Sequence, residues 1–258
     1  LTKTGAGELV LRGENAFSGD VNINGGKISV YSAKDGLVKE GASGKITGSE
    51  ANGALDFHGA EVAAQINWTP VSGSERKLRF MSGRNVFKGK FALSSYWQFR
   101  PYINGGTTNV FEGGYDCAQC YQEWKSGARE ENRAEMIFRN KPITCTASSL
   151  YLSVPGFTTL RLQVASNLVT KLNFAGDNGI ISCEVPYAFK KTVDIGFPGS
   201  YSNYAKMELN GNDQEFGNLE LSSGQYDNRF ATFTSSSPAT FAYNQTGLTT
   251  NTVVTFAG

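Results

Sequence analysis

Apolar residues recur at every second position along most of this chain. Leu9 and Leu11 alternate within Glu8-Leu9-Val10-Leu11-Arg12, Val21 pairs with Ile23, and Ile28 with Val30. The longest run places Ala60, Val62, Ala64, Ile66 and Trp68 on one parity, with Glu61, Ala63, Gln65 and Asn67 on the other. Later examples are Leu78 with Phe80, Met136 with Phe138, Leu160 with Leu162 and Val164, and Ile181 with Cys183 and Val185. Successive strand side chains point to opposite faces, so a period of two predicts strands with one dry face. Gly5, Gly13, Gly25-Gly26, Gly105-Gly106 and Asn210-Gly211-Asn212-Asp213 break the runs with residues that turn the chain cheaply. Many short strands at near-regular spacing fit a sandwich, a barrel or a solenoid.

Internal repetition favours the solenoid. Asn-x-Phe-x-Gly occurs at Asn15–Gly19, Asn85–Gly89 and Asn109–Gly113, the last two copies 24 residues apart. That interval suits one coil, in which each coil's inner face is buried only by its neighbours. The expectation is one elongated all-β domain over 1–258, of about ten coils, with a row of Phe rings and an Asn ladder along its axis. One stretch lacks alternation: residues 113–134 are rich in charge and hold Cys117 and Cys120, and are expected to form an insertion loop protruding from the wall.

Composition narrows the function. The formal net charge is +1, and nothing in it steers the chain to nucleic acid or an anionic membrane. No apolar run approaches a membrane span. The chain starts at Leu1 inside what reads as a repeat, so it is expected to be a piece of a longer protein whose β-helix continues beyond it.

Lys3-Thr4-Gly5-Ala6-Gly7-Glu8-Leu9-Val10-Leu11-Arg12-Gly13-Glu14-Asn15-Ala16-Phe17-Ser18-Gly19 closely resembles the autotransporter-associated β-strand repeat. Val21–Val30, with its Gly25-Gly26 turn, fits the sequel of that repeat. Met207–Leu219 and Ser237-Pro238-Ala239-Thr240-Phe241 are similar to the elements that close one repeat block and precede the next. The middle of the chain shares only the style. The resemblance implies a right-handed parallel β-helix in the passenger of an exported bacterial surface protein: a structural stalk or adhesin-like segment, extracellular and outer-membrane associated, without catalysis. It supplies no catalytic residues.

Candidate chemistry is sparse. The one histidine, His58, falls on the outward parity beside Phe57. No G-x-S-x-G or H-E-x-x-H occurs. Cys117, Cys120, Cys145 and Cys183 are read as disulfides first, buried thiols second and a zinc site last. No catalytic, metal or cofactor site is expected. Glu112, Asp116, Glu123, Glu130, Glu131 and Glu135 interleave with Lys125, Arg129 and Arg133, the mark of solvated ion pairs. Tyr96, Trp97, Tyr115, Tyr121 and Trp124 are the candidate ligand-binding rings, suited to a glycan or a host cell-surface protein. Two alternatives stay open: a carbohydrate-binding module using those rings, and a polysaccharide-degrading β-helix enzyme that needs two converging acids.

Overall fold

A computed structural model describes residues 1–15, 17–31, 34, 37–71, 76–94, 101–117, 122–123, 125–145, 151–174, 178–197, 204–221, 230–243 and 254–257. Every strand pairing among them is parallel, and partners in a sheet are about one coil apart in sequence. The chain visits three walls in turn: Lys45–Ser49 on the first, Gly53–His58 on the second, Glu61–Val62 on the third, then Gln65–Thr69 on the first again. This is a parallel β-solenoid, and stacked sequential coils of this kind dismiss a sandwich. The first wall is a seven-stranded sheet from Thr2–Lys3 to Ile143–Cys145, extended by single bridges through Leu168 and Phe189. Among the described residues the third wall has nine strands, from Glu61–Val62 to Val254–Ala257, beside the expectation of about ten coils. The second wall is built from two sheets of six and five strands.

The junction of those two sheets lies inside the segment expected to protrude. Tyr115–Cys117 joins the first wall. Lys125–Ser126 pairs back onto Tyr102–Ile103, whereas Gln122–Glu123 pairs forward onto Tyr151–Val154. A short 3-10 turn, Glu130–Asn132, then leads into the third-wall strand Ala134–Phe138. Thus 113–134 does not leave the solenoid along its whole length; its described parts form a seam in the wall. Alternation was too short in these two- and three-residue strands to be read from sequence.

Both axial ladders are present. Asn85 faces Asn109 and Phe87 faces Phe111, in the register that the 24-residue repeat implied. The Asn85 amide donates to Asn109 Oδ1 at 2.8 Å, both residues fully buried, and Asn85 Oδ1 accepts from the Ala60 backbone at 2.9 Å. Phe87, Phe111 and Phe138 stack with centroids 5.0 and 4.9 Å apart and planes 21° and 10° from parallel. Edge contacts from Phe80, Phe91 and Tyr115 close the sides of this column. On the first wall Trp68 is fully buried and lies over Gly48, where any Cβ would collide with the indole. That glycine is a packing requirement, since the aromatic and the absent side chain share one space.

Candidate functional site

Function on such a rod must come from outward positions, because the inward ones are spent on the core. On the second wall Ser29, Asp56 and Arg79 form one outward row in register. Arg79 holds Asp56 in a fork, Nε to Oδ1 at 2.5 Å and Nη2 to Oδ2 at 2.6 Å, while the Asp56 side chain is only 4% exposed. Lys27 bridges from Asp56 at 3.7 Å to Glu8 at 3.0 Å, and the Ser29 hydroxyl donates to Glu8 at 2.6 Å. That hydroxyl, and Lys27 after it, hold the Glu8 carboxyl below the usual range.

A second outward row runs beside this one. The guanidinium of Arg12 sits 4.4 Å over the Tyr31 ring, and Tyr31 stacks on His58 at 4.1 Å with planes 9° apart. His58 Nδ1 lies 3.2 Å from the Ser82 hydroxyl. Burial lowers the imidazole pKa, against a smaller opposing pull from Asp56. A serine beside a histidine is half of a nucleophile arrangement, but the base must also be oriented. Asp56, an acid on the same wall, has both oxygens committed to Arg79. The arrangement braces the coils and is not poised to activate Ser82.

The third wall carries its own charges. Glu112 is forked by Arg139. Arg161 spans three coils, accepted by Glu135 at 2.9 Å and Glu184 at 2.8 Å, and Gln163 donates to Glu184 at 2.7 Å. Hydrogen bonding to Glu184, and then to Glu135, raises the Arg161 pKa. Glu135 and Glu184 do converge, but on a fixed cation. Glycoside cleavage needs two carboxyls facing a sugar, and here both engage one and the same guanidinium. Lys88 similarly joins Glu61 at 2.7 Å and Glu40 at 3.2 Å. Among the described residues no group of three or more His, Cys, Asp or Glu is placed to hold a metal ion, and no helix is long and apolar enough to cross a membrane.

Of the candidate rings, Tyr115 is corrected by the structure. It is 2% exposed and stacks on Phe91 at 5.7 Å, edge-on to Phe138, so it belongs to the core column and offers no face to a ligand. Its parity with Cys117, two residues on in the same strand, is the signal that would have placed it inside. Tyr96, Trp97, Tyr121 and Trp124 lie outside the described residues, as does Cys120. Cys117, Cys145 and Cys183 are all buried, and no disulfide joins them to one another. Burial pushes the Cys183 thiol up to about 12, so it is inert as a nucleophile. The sequence did not single out Tyr187, which is 53% exposed with a left-handed φ of 51°; its strain depends on the corner it occupies, which no local pattern reveals.

The first thirty residues have a turn chemistry of their own. The Lys3 ammonium donates to the carbonyls of Thr4 at 2.7 Å, Gly5 at 2.8 Å and Gly25 at 3.2 Å. Gly26 has φ +64°, and a Cβ there would strike the carbonyl oxygens of Gly7 and Gly5. The lysine plugs a ring of backbone oxygens that only glycine lets close.

No curated protein and no solved structure matches the chain. Residues 1–30, the segment that holds this lysine-plugged turn, match the model of the passenger-associated-transport-repeat family and are an autotransporter passenger repeat.

Proposed function

We propose that this chain is a passive stalk segment of an exported bacterial surface protein, displaying an adhesive surface to a glycan or a host cell-surface protein, with no catalysis of its own. One observation carries the reading: the passenger repeat at 1–30 runs by in-register parallel pairing, Glu8–Arg12 on Gly26–Tyr31 on Gly53–His58, into the rest of the wall. The outward charges support it. Asp56, Glu112, Glu135 and Glu184 each engage an arginine, which suits a surface that resists collapse and aggregation more than one that performs acid–base chemistry. The balanced charge favours a neutral glycan or protein partner over nucleic acid, and the rod stands outside the membrane.

Two assays on the whole chain test this. Incubation with a panel of bacterial and host polysaccharides is expected to release no reducing sugar. Release that disappears in Glu135→Gln or Glu184→Gln would overturn the passive reading in favour of hydrolysis. Binding to a glycan array or to host cells is expected to survive those substitutions, and absence of binding in both formats would remove the adhesive part while leaving the stalk.

A further inference from the structure

The cysteines sit in an arrangement that their spacing in sequence does not suggest. Cys117 and Cys120 form the obvious local pair, yet in the fold the residue opposite Cys117 is Cys145, one coil on. The inward row of the first wall runs Trp68, Leu93, Cys117, Cys145 in strict register. Both cysteines are buried, at 0% and 3% exposure, and both project to the same side as Tyr115 and Ile143. Neighbouring strands in a sheet are ~4.8 Å apart, inside the ~4.4–6.8 Å between Cα atoms that a disulfide spans. Cys183 is on the third wall, in register with Leu162, and has no cysteine opposite it. Among the described residues no third His, Cys, Asp or Glu joins the pair in a group that could hold a metal ion.

We infer that Cys117 and Cys145 form a disulfide between adjacent coils when the chain folds in an oxidising compartment. The oxidant is a disulfide, either a small-molecule one or that of a thiol oxidoreductase. The thiolate of one cysteine attacks it, forming a mixed disulfide and expelling one thiol. The second cysteine then attacks its neighbour's sulfur, forming the Cys117–Cys145 bond and expelling the second thiol. Two protein thiols are oxidised, one external disulfide is reduced to two thiols, and the two protons pass to the released thiolates. Closed coils shut the pair away from any such reagent, so the bond forms while the coils are closing.

The bond would have a definite mechanical effect. The chain between the two cysteines contains the seam at Gln122–Ser126, where the second wall changes from one sheet to the other. There, among the described residues, each short strand pairs with a neighbour on one side. A covalent link on the first wall would hold the two coils together beside this change of pairing partner. The inference is independent of any adhesive role.

The experiment is oxidative refolding. The unfolded, reduced chain is refolded in a mixture of oxidised and reduced glutathione, and remaining thiols are then alkylated. Peptides are mapped by mass spectrometry. The expected result is a cross-linked peptide joining Cys117 to Cys145, the same far-ultraviolet spectrum as the reduced chain, and a higher urea midpoint. Cys145→Ser is expected to lose the cross-link. A Cys117–Cys120 link, any link to Cys183, or four alkylated cysteines in a chain that has regained its spectrum would overturn the assignment.

Discussion

The first thirty residues and the coils between Leu78 and Phe138 use the same wall geometry but hold it by different means. At the start, the inner positions Leu9, Leu11 and Phe17 are only half buried, and the specific features are in the turn: Lys3 plugging three carbonyls, and Gly26 admitting a close backbone approach. In the middle, the specific features are inside. The Phe87–Phe111–Phe138 column and the Asn85–Asn109 ladder are fully buried, and each coil completes the one before it. Recognisability and cohesion therefore reside in different places. Turn chemistry is local and leaves a motif, whereas a ring column needs only a large apolar residue at the right register.

Substitutions should separate the two regions by size. The largest effect is expected from Phe111→Ala, which empties the centre of the column and should cost ~3–5 kcal/mol, against ~1–2 kcal/mol for Leu9→Ala at its half-buried site, both read by urea unfolding. Equal losses would dissolve the contrast.

Turn chemistry comes next. Gly26→Ala meets both a positive φ and two carbonyl oxygens, so a loss of ~2–3 kcal/mol is expected. Gly106→Ala, at φ +72° with open space around it, isolates the conformational part and should lose about 1 kcal/mol. A larger loss at Gly106 would show that close approach is not what the Gly26 turn demands.

The amide ladder ranks third. Asn109→Ala removes the nearer acceptor of the Asn85 amide, leaving it the Ser82 carbonyl at 3.4 Å, and should cost ~1–3 kcal/mol. Asn15→Ala, in the first copy of the repeat, is expected to cost less than Asn109→Ala, because its side chain donates to the Gly13 carbonyl, at 3.2 Å, in an exposed setting.

The smallest effect is that of pH on the N-terminal coils. The folded-state pKa values of His58 and Glu8 both lie below their ordinary values of 6.5 and 4.5. On acidification the unfolded chain therefore takes up these protons first, and stability falls as pH drops. The His58 contribution is present above about 6.5 and fades as pH falls through its lowered folded-state pKa; the Glu8 contribution fades below about 4.5. The urea midpoint should slip slightly between pH 8 and pH 5.5, and His58→Asn should remove that slope. A midpoint that rises on acidification would contradict the assigned directions.

Much of this was legible in the chain. The spacing of Asn85-x-Phe87 and Asn109-x-Phe111 gave the coil length, the register and both ladders, because a stacked repeat writes its period into the sequence. The first thirty residues carried the resemblance to a passenger repeat, and the family model matches that same segment. Three features were not legible. The seam at Gln122–Ser126 depends on which neighbouring coil each two-residue strand finds, a long-range choice with no local pattern. Tyr115 reads as an exposed ring in a charged stretch; its parity with Cys117 spans a single three-residue strand, and its place opposite Phe91 and Ile143 shows it to be core. The commitment of Asp56, Glu135 and Glu184 to arginines is likewise a cross-coil relation, invisible until register is known.

Hydrogen–deuterium exchange, read peptide by peptide along the chain, decides whether one continuous stack is held hardest at its ring-filled middle. Slowest exchange is expected in Arg84–Phe87, Thr108–Phe111 and Ala134–Phe138, with protection declining coil by coil toward Glu8–Arg12. Uniform protection, or a first coil that exchanges more slowly than the Phe111 coil, would contradict it.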